Sequence, residues 1–195
     1  VVGENAAIIA TGMRGKVYVV DKSKERLKEL HKMFGDKIIP AESEKTDLKK
    51  LVSECDLLVG GVLIPGAEAP KLITKEMIKN MKRGAVVVDV AIDQGGCVET
   101  SKPTTHANPT YLVDGVVHYC VANMPGGVPR TSTMALNKAT LPLLIKLADQ
   151  GYKKTLQEDK NYLAGLNIHK GKITYKGVSE AFNLDYTPAD QAILD

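Results

Sequence analysis

The chain has 195 residues, enough for one sizeable hydrophobic core or for one complete domain and part of another. Hydrophobic residues make up 44% and charged residues 25%, which is close to average usage and excludes a disordered or fibrous protein. The net charge of +3 is small. The sequence has no Trp and only two Phe, so it offers few aromatic rings on which bases could stack, and no nucleic-acid partner is expected.

Cysteine usage and apolar run lengths bear on the cellular compartment. No stretch approaches the roughly 20 apolar residues of a membrane span, and the N-terminus lacks the layout of a signal peptide. Cys55, Cys97 and Cys120 are widely spaced without a CxxC pair. They suit buried, unreactive thiols in a reducing compartment rather than disulfides or a zinc site. We therefore expect a cytoplasmic protein with no membrane partner.

The first third of the chain alternates predicted helices and strands. Apolar periodicity predicts a glycine turn and helix at 1–13, then a strand at 16–21 and a helix at 25–34 that is stopped by Gly35. It next predicts a strand at Ile38 and Ile39, a helix at 48–53 and a strand in the run DLLVGGVL at 56–63. This alternation is typical of a parallel sheet with crossover helices.

The pattern continues and then changes character. It predicts a helix at 75–81 ended by Gly84, a strand in AVVVDVAID at 85–93, a long loop, a strand in VVHYCVA at 116–122 and a helix at 131–150 kinked by Pro142. After Gly151 we expect short helices, a hairpin at 169–172 and a small final helix, with too few apolar residues for a separate core.

These elements predict an α/β, doubly wound parallel sheet of the Rossmann type. Such a domain begins with a strand whose glycine turn opens the first helix, and this sequence starts inside that turn. We therefore expect a dinucleotide-binding domain at 1–130 that lacks its first strand. Residues 131–195 are expected to form a connecting helix and the C-terminal part of a second domain.

Two residues near the N-terminus fit a dinucleotide site. Gly3 suits the last glycine of G-x-G-x-x-G, before a helix whose N-terminus faces the pyrophosphate, although an ordinary turn fits as well. Asp21 ends the second apolar strand, where such domains place the acid that binds the adenosine ribose; the alternative is a solvated strand-end acid. That carboxylate would favour NAD over NADP, while Lys22, Lys24 and Arg26 would soften its repulsion of a phosphate.

Two later segments carry further candidates. GGVLIPG at 60–66 follows a buried strand, where open parallel sheets bind ligands, and fits a ligand-contacting loop or a plain turn equally. VVVDVAIDQGG at 86–96 places Asp93 and Gln94 just before two glycines, so we favour Asp93 as a carboxylate that assists proton transfer. Asp89 in the same run suits a structural acid bonded to neighbouring amides. The four histidines receive no role: His31, His106, His118 and His169.

Four segments together resemble alanine dehydrogenase across essentially the whole chain. They are VLIPGAEAPKLITKEM, VVVDVAIDQGG, PTTHANPTY and VVHYCVANMPGGVPRTST. The resemblance implies NAD-dependent oxidative deamination of L-alanine to pyruvate and ammonium, in two-domain subunits that usually form hexamers. The NAD-binding part of nicotinamide nucleotide transhydrogenase shares the VxVPGxxAPxL type of loop and is the alternative; saccharopine-forming enzymes are more distant.

The resemblance also implies a set of site residues. Asp93 is the active-site carboxylate, Asp21 holds the adenosine ribose, and Arg26 and Ser43 lie near the adenosine end. The cofactor-binding residues implied are Gly3, Asp21, Arg26, Ser43, Val62, Leu63, Val90, Ala91, Ile92, Asp93, Lys102, Val121, Ala122, Asn123 and Met124.

Further expectations concern what lies outside the chain. In the family, the substrate-binding arginine, lysine and catalytic histidine lie in an N-terminal domain, so this chain alone is expected to be inactive. Because the first strand and the phosphate-binding turn are missing, it is also expected to bind NAD weakly. Some members hold a metal between a Glu and a His on the long helix. The matching positions here are Lys146 and Gln150, so no metal is expected.

Overall fold

The computed structural model describes residues 1–62, Ile64 and residues 68–194. The described residues form two compact units, the first from 1–63 and 69–122 and the second from 64–68 and 123–195. The domain boundary predicted between residues 130 and 131 concerns the domains of the whole protein, so it stays a prediction.

The first unit alternates helices and strands. Its helices are α1 (Val2–Gly12), α2 (Lys24–Phe34), α3 (Leu48–Glu54) and α4 (Lys75–Lys79), and its strands are β1 (Val17–Asp21), β2 (Ile38–Glu42), β3 (Leu57–Gly60), β4 (Val86–Asp89), β5 (Thr110–Val113) and β6 (Val116–Tyr119). Short 3₁₀ helices occupy Gly35–Lys37 and Val90–Gln94.

Side-chain caps explain where three of these helices begin. Ser23 accepts a hydrogen bond from the Arg26 amide at 3.2 Å and opens α2. Asp47 and Thr74 open α3 and α4 in the same way. Each cap satisfies an amide that has no partner inside its helix, which stabilises the helix by about 1 kcal/mol.

The described strands of the first unit form parallel ladders with one antiparallel exception. β1 pairs with β2 in parallel, and a four-stranded sheet has the order β3-β4-β6-β5. In that sheet β3, β4 and β6 are parallel and β5 runs antiparallel to β6. The α/β class with a largely parallel sheet is therefore confirmed. Whether a strand precedes Val1 stays a prediction.

The β5–β6 hairpin was not predicted. Its turn residues Asp114 and Gly115 have φ values of 51° and 83°, and two consecutive positive values are typical of the type I′ turn, which matches the twist of the flanking strands. The signal was in the sequence, because Asp-Gly between apolar runs is a strong indication of a hairpin.

The core of the first unit lies around β4. Val87, Val98 and Val116 are fully buried, and Ile78 of α4 packs in the same cluster. Burying each such side chain stabilises the fold by about 1.5–3 kcal/mol. The four-stranded sheet thus provides a rigid support for the residues at the end of β4.

The second unit is mostly helical. A 3₁₀ helix at Met124–Gly127 precedes α5 (Pro129–Gln150), α6 (Tyr152–Glu158), α7 (Lys160–Leu163), β7 (Ile168–His169), β8 (Lys172–Ile173), α8 (Lys176–Phe182) and α9 (Ala189–Ala192). The predicted long helix, the hairpin and the final helix are confirmed, and Pro142 lies inside α5. Lys146 of α5 donates to Asp159 at 2.8 Å, and Tyr162 donates to the Leu143 carbonyl at 3.0 Å, so α5 is joined to α6 and α7.

α5 differs from the other long helices because none of its 22 residues is buried. Leu136, Leu144 and Ile145 are each at least half exposed. Within the described part of the chain, no helix has the length and apolar character needed to cross a membrane.

Candidate functional site

The strand that carries the favoured candidates ends earlier than predicted. β4 stops at Asp89, and Val90–Gln94 is a 3₁₀ helix instead of a continuation of the strand. The change of direction follows from Asp89, whose Oδ1 accepts a hydrogen bond from the Ala91 amide at 3.2 Å. Asp93 therefore lies on a short helix after the strand, and its side chain is exposed.

Asp89 is fully buried and has five hydrogen-bond donors around its carboxylate. Oδ1 accepts from the amides of Ala91 and Cys97 and from the Cys97 thiol at 3.4 Å. Oδ2 accepts from the Val98 amide at 3.0 Å and the Ser101 hydroxyl at 2.6 Å. These contacts confirm the structural alternative for Asp89: a buried carboxylate satisfied by donors that fix residues 91–101.

The Gly95–Gly96 turn after Asp93 packs closely against this carboxylate. Both glycines have positive φ values, 86° and 78°. A Cβ on Gly96 would lie 2.7 Å from Oδ2 of Asp89. Only glycine fits this approach, so the two glycines are required by the turn that follows Asp93.

Lys71 holds the same turn from the other side. Its ammonium donates to the carbonyl of Gly95 and, at 2.8 Å, to that of Gly96. The neighbouring backbone adds a bond from the Ala69 amide to the Gln94 carbonyl at 2.8 Å. Segment 69–73, which follows the glycine–proline loop, is thus tied to the turn after Asp93. Lys71 was not predicted as a site residue, because nothing in its local sequence pattern indicates a contact 24 residues away.

The end of β3 is packed tightly against its neighbours. A Cβ on Gly60 would lie 2.4 Å from the Cys97 sulfur, and one on Gly61 would lie 2.8 Å from Cγ1 of Val2. The second distance places the start of α1 beside the end of β3. Burial raises the pKa of the Cys97 thiol to about 12, with the neighbouring Asp89 carboxylate as a further cause. Cys97 is thus a buried, protonated thiol, as expected.

Gly3 lies beside Gly61, the residue that follows β3. α1 begins at Val2, so Gly3 occupies the first turn of the helix instead of preceding it as predicted. Among the described residues, and apart from its chain neighbours and its own helix backbone, no atom lies within 4 Å of the position that a Cβ on Gly3 would take. Val62 packs partly buried against the core, while Leu63 lies outside the described residues.

The predicted adenosine end gathers at the carboxyl ends of β1 and β2. The Ser43 amide donates to the Asp21 carbonyl at 3.0 Å, and Oδ1 of Asp21 accepts from the Ser23 amide at 2.8 Å. Arg26 forms ion pairs with Glu4 of α1 and with Glu29 at 2.7 Å. Hydrogen bonds to Glu29 and Glu4 raise the pKa of Arg26 above its ordinary value.

The remaining candidate residues range from buried to exposed. Ala91, Ile92 and Val121 are buried, whereas Lys102, Ala122 and Asn123 are exposed. The Lys102 amide donates to the Tyr111 hydroxyl at 2.7 Å, and the Ala122 amide donates to the Thr104 carbonyl. Val90 is partly exposed. Asn123 and Met124 belong to the second unit and open its first 3₁₀ helix.

The buried His118 and the partly buried Tyr111 pack against each other on the neighbouring strands β6 and β5. Their rings stack with centroids 5.1 Å apart, and His118 is bonded to Thr100 and to the Val116 carbonyl. Burial raises the pKa of Tyr111, and its hydrogen bond to Cys120 acts in the same direction. Among the described residues, no group of three His, Cys, Asp or Glu side chains is placed to hold a metal ion.

Comparison with known proteins shows the ancestry of the chain. The family model described as "Alanine dehydrogenase/PNT, C-terminal domain" matches residues 1–176. An alanine dehydrogenase of Halomonas elongata is 58% identical over 193 residues, covering 99% of this chain and 52% of the relative. Alanine dehydrogenase 2 of Staphylococcus aureus (strain USA300) is 49% identical over 192 residues, covering 98% and 52%. The chain thus spans about half the length of the curated relatives it matches.

Solved structures agree with these matches. A structure of L-alanine dehydrogenase superposes with a TM-score of 0.77 at 45% identity, over 91% of this chain and 49% of that one. A transhydrogenase from Sinorhizobium meliloti superposes with a TM-score of 0.69 over 89% and 46%, but at 20% identity it shows a shared fold alone. The chain belongs to the alanine dehydrogenase/PNT C-terminal domain family.

Proposed function

We propose that the full-length protein catalyses the reversible, NAD-dependent oxidative deamination of L-alanine to pyruvate and ammonium. The observation that carries the proposal is 58% identity over 99% of the chain with a protein named alanine dehydrogenase. The alternative, an NAD-binding module of a transhydrogenase, rests on a fold match at 20% identity. It is the weaker of the two.

Family membership implies a nicotinamide cofactor, and NAD is our specific proposal. The residues present fit it. The start of α1 offers backbone amides beside an open glycine position, and a helix N-terminus favours a pyrophosphate. We propose that Asp21 accepts hydrogen bonds from the adenosine ribose, with Ser43 and Arg26 beside it. The residues from Val90 to Asp93 would lie beneath the nicotinamide ribose.

In the proposed reaction, bound NAD supplies the hydride acceptor. Alanine loses a hydride from its α carbon and a proton from its amino group, and water then converts the imine to pyruvate and ammonium. We propose that Asp93 assists proton transfer to and from this water, since its carboxylate is exposed on the 3₁₀ helix that follows β4. Asp89, Lys71 and the two glycines hold the short helix that presents Asp93.

The test is an alanine assay on the full-length protein. Purified protein is expected to reduce NAD in the presence of L-alanine, and Asp93→Asn is expected to lower kcat by about 100- to 10,000-fold, the usual contribution of a general acid or base. Asp114→Asn is the matched control. Asp114 is an exposed acid before β6, at the opposite end of the sheet from Asp93, and its substitution should leave kcat unchanged.

Two outcomes would overturn parts of the proposal. No alanine-dependent reduction at saturating substrate would reject the dehydrogenase and favour the transhydrogenase module. Full activity of Asp93→Asn would reject the role of Asp93 alone. The cytoplasmic location and the homo-oligomer, a hexamer by resemblance, remain expectations, and light scattering on the full-length protein would measure the oligomeric state.

A further inference from the structure

Glu42 lies next to Asp21 at the predicted adenosine end. The two residues are register partners at the last position of the β1–β2 ladder. Glu42 forms ion pairs with Lys45 at 2.9 Å and with Lys24 at 3.7 Å. Two carboxylates therefore stand side by side at the carboxyl ends of neighbouring strands, and one of them binds two lysines.

The cations around Asp21 are largely engaged by carboxylates. Lys24 and Lys45 pair with Glu42, and Arg26 pairs with Glu4 and Glu29. The hydrogen bond to Glu42 raises the pKa of Lys45, and the same bond lowers the pKa of Glu42. Lys24, Lys45 and Arg26 are thus already compensated by carboxylates where they lie, whereas Lys22 takes part in none of these ion pairs.

This arrangement matters for the choice between NAD and NADP. The 2′-phosphate of NADP adds negative charge beside the ribose diol, where an acid such as Asp21 repels it and a nearby base accommodates it. A lysine that is paired with a carboxylate contributes less attraction to a second anion, because the two opposite charges partly cancel at short range.

We propose that Glu42 is a specificity-determining residue that disfavours NADP by holding Lys24 and Lys45 in ion pairs beside Asp21. The inference rests on the proposed NAD site and deepens it. Asp21 supplies repulsion of a 2′-phosphate, and Glu42 withholds the cations that would offset this repulsion. Removing the Glu42 charge leaves both lysines available to the phosphate.

The experiment is calorimetric titration of the full-length protein with NAD and NADP, separately, at fixed ionic strength. Glu42→Gln is expected to tighten NADP binding by about fivefold to tenfold, the range for a gained charge-assisted contact at a solvated site. NAD binding should change by less than about twofold, because NAD carries an uncharged 2′-hydroxyl where NADP carries the 2′-phosphate. Glu42→Thr is a second variant suited to a strand, and circular dichroism checks that both fold.

Two controls separate the lysines from net charge. Glu180→Gln removes one carboxylate that pairs with Lys176 in α8, so it changes the net charge by the same amount elsewhere. It should leave NADP binding unchanged. Adding Lys45→Gln to Glu42→Gln should remove most of the gained NADP affinity.

The possible results distinguish a failure of the proposed function from a failure of the role of Glu42. If the wild-type protein binds neither nucleotide, the proposed function fails. If it binds NAD but Glu42→Gln and Glu42→Thr leave the affinity for NADP unchanged, the role of Glu42 is overturned while the NAD site stands. An equal gain in Glu180→Gln, or a gain that survives the loss of Lys45, would also overturn it.

Discussion

Asp89 and Asp93 stand four residues apart in different surroundings. Asp89 is buried among five donors, whereas Asp93 is exposed on the 3₁₀ helix that those donors help to shape. The sequence pattern favoured Asp93 for function and left a structural role open for Asp89. It could not show the buried network, because the Cys97, Val98 and Ser101 donors come from a segment that folds back only in three dimensions.

We predict that Asp89→Asn lowers the free energy of unfolding by about 2–4 kcal/mol, because an amide group cannot accept all five bonds and leaves buried donors unsatisfied. Urea denaturation of the 195-residue chain measures the change. Asp93→Asn, at an exposed position, is the control and should shift stability by less than about 0.5 kcal/mol. Equal losses in the two variants would contradict the proposed division of roles.

Among the elements, β5 was not predicted, because apolar periodicity does not detect so short a strand. Residues 110–113 are too few and too mixed to stand out as a strand, so their region was assigned to a loop. The pairing depends on the Asp114–Gly115 turn, which brings β6 back along β5. The helices and parallel strands were predicted well because each repeats its apolar spacing over several residues and most have a capping residue or a glycine at one end.

We predict that Gly115→Ala destabilises the hairpin. Gly115 has φ of 83°, and holding a side chain there costs about 1–2 kcal/mol. Thermal unfolding of the variant should show the loss. Gly12→Ala is the control. Gly12 ends α1, its Cβ position meets no other described residue within 4 Å beyond its own helix, and alanine suits a helix better than glycine. A Gly115→Ala variant as stable as wild type would argue against the positive-φ turn.

The whole molecule combines a well-packed unit with a helix that has no buried face. Helices derive most of their stability from tertiary packing, and α5 buries none of its residues within the described part of the chain. The apolar pattern of residues 131–150 predicted the helix correctly, but periodicity cannot reveal what covers an apolar face. The parallel class of the fold was predictable in the same way, whereas the strand order β3-β4-β6-β5 depends on contacts between distant residues.

We predict that hydrogen exchange in the 195-residue chain is much faster in α5 than in β4 and β6. The strands are enclosed by the core around Val87, while the α5 helix lacks such protection. Exchange read by mass spectrometry on peptides from both regions measures the difference, and the full-length protein provides the comparison. Equal protection in the 195-residue chain would show that α5 is stable without further packing.

The contact between Gly60 and Cys97 has a consequence for engineering this fold. The missing side chain at position 60 and the sulfur at position 97 share one volume, since a Cβ at 60 would lie 2.4 Å from that sulfur. Libraries that vary the two sites one at a time would discard every larger residue at 60. Libraries that vary both sites together, with a smaller residue at position 97 and a larger one at position 60, would sample replacements that single-site scanning excludes.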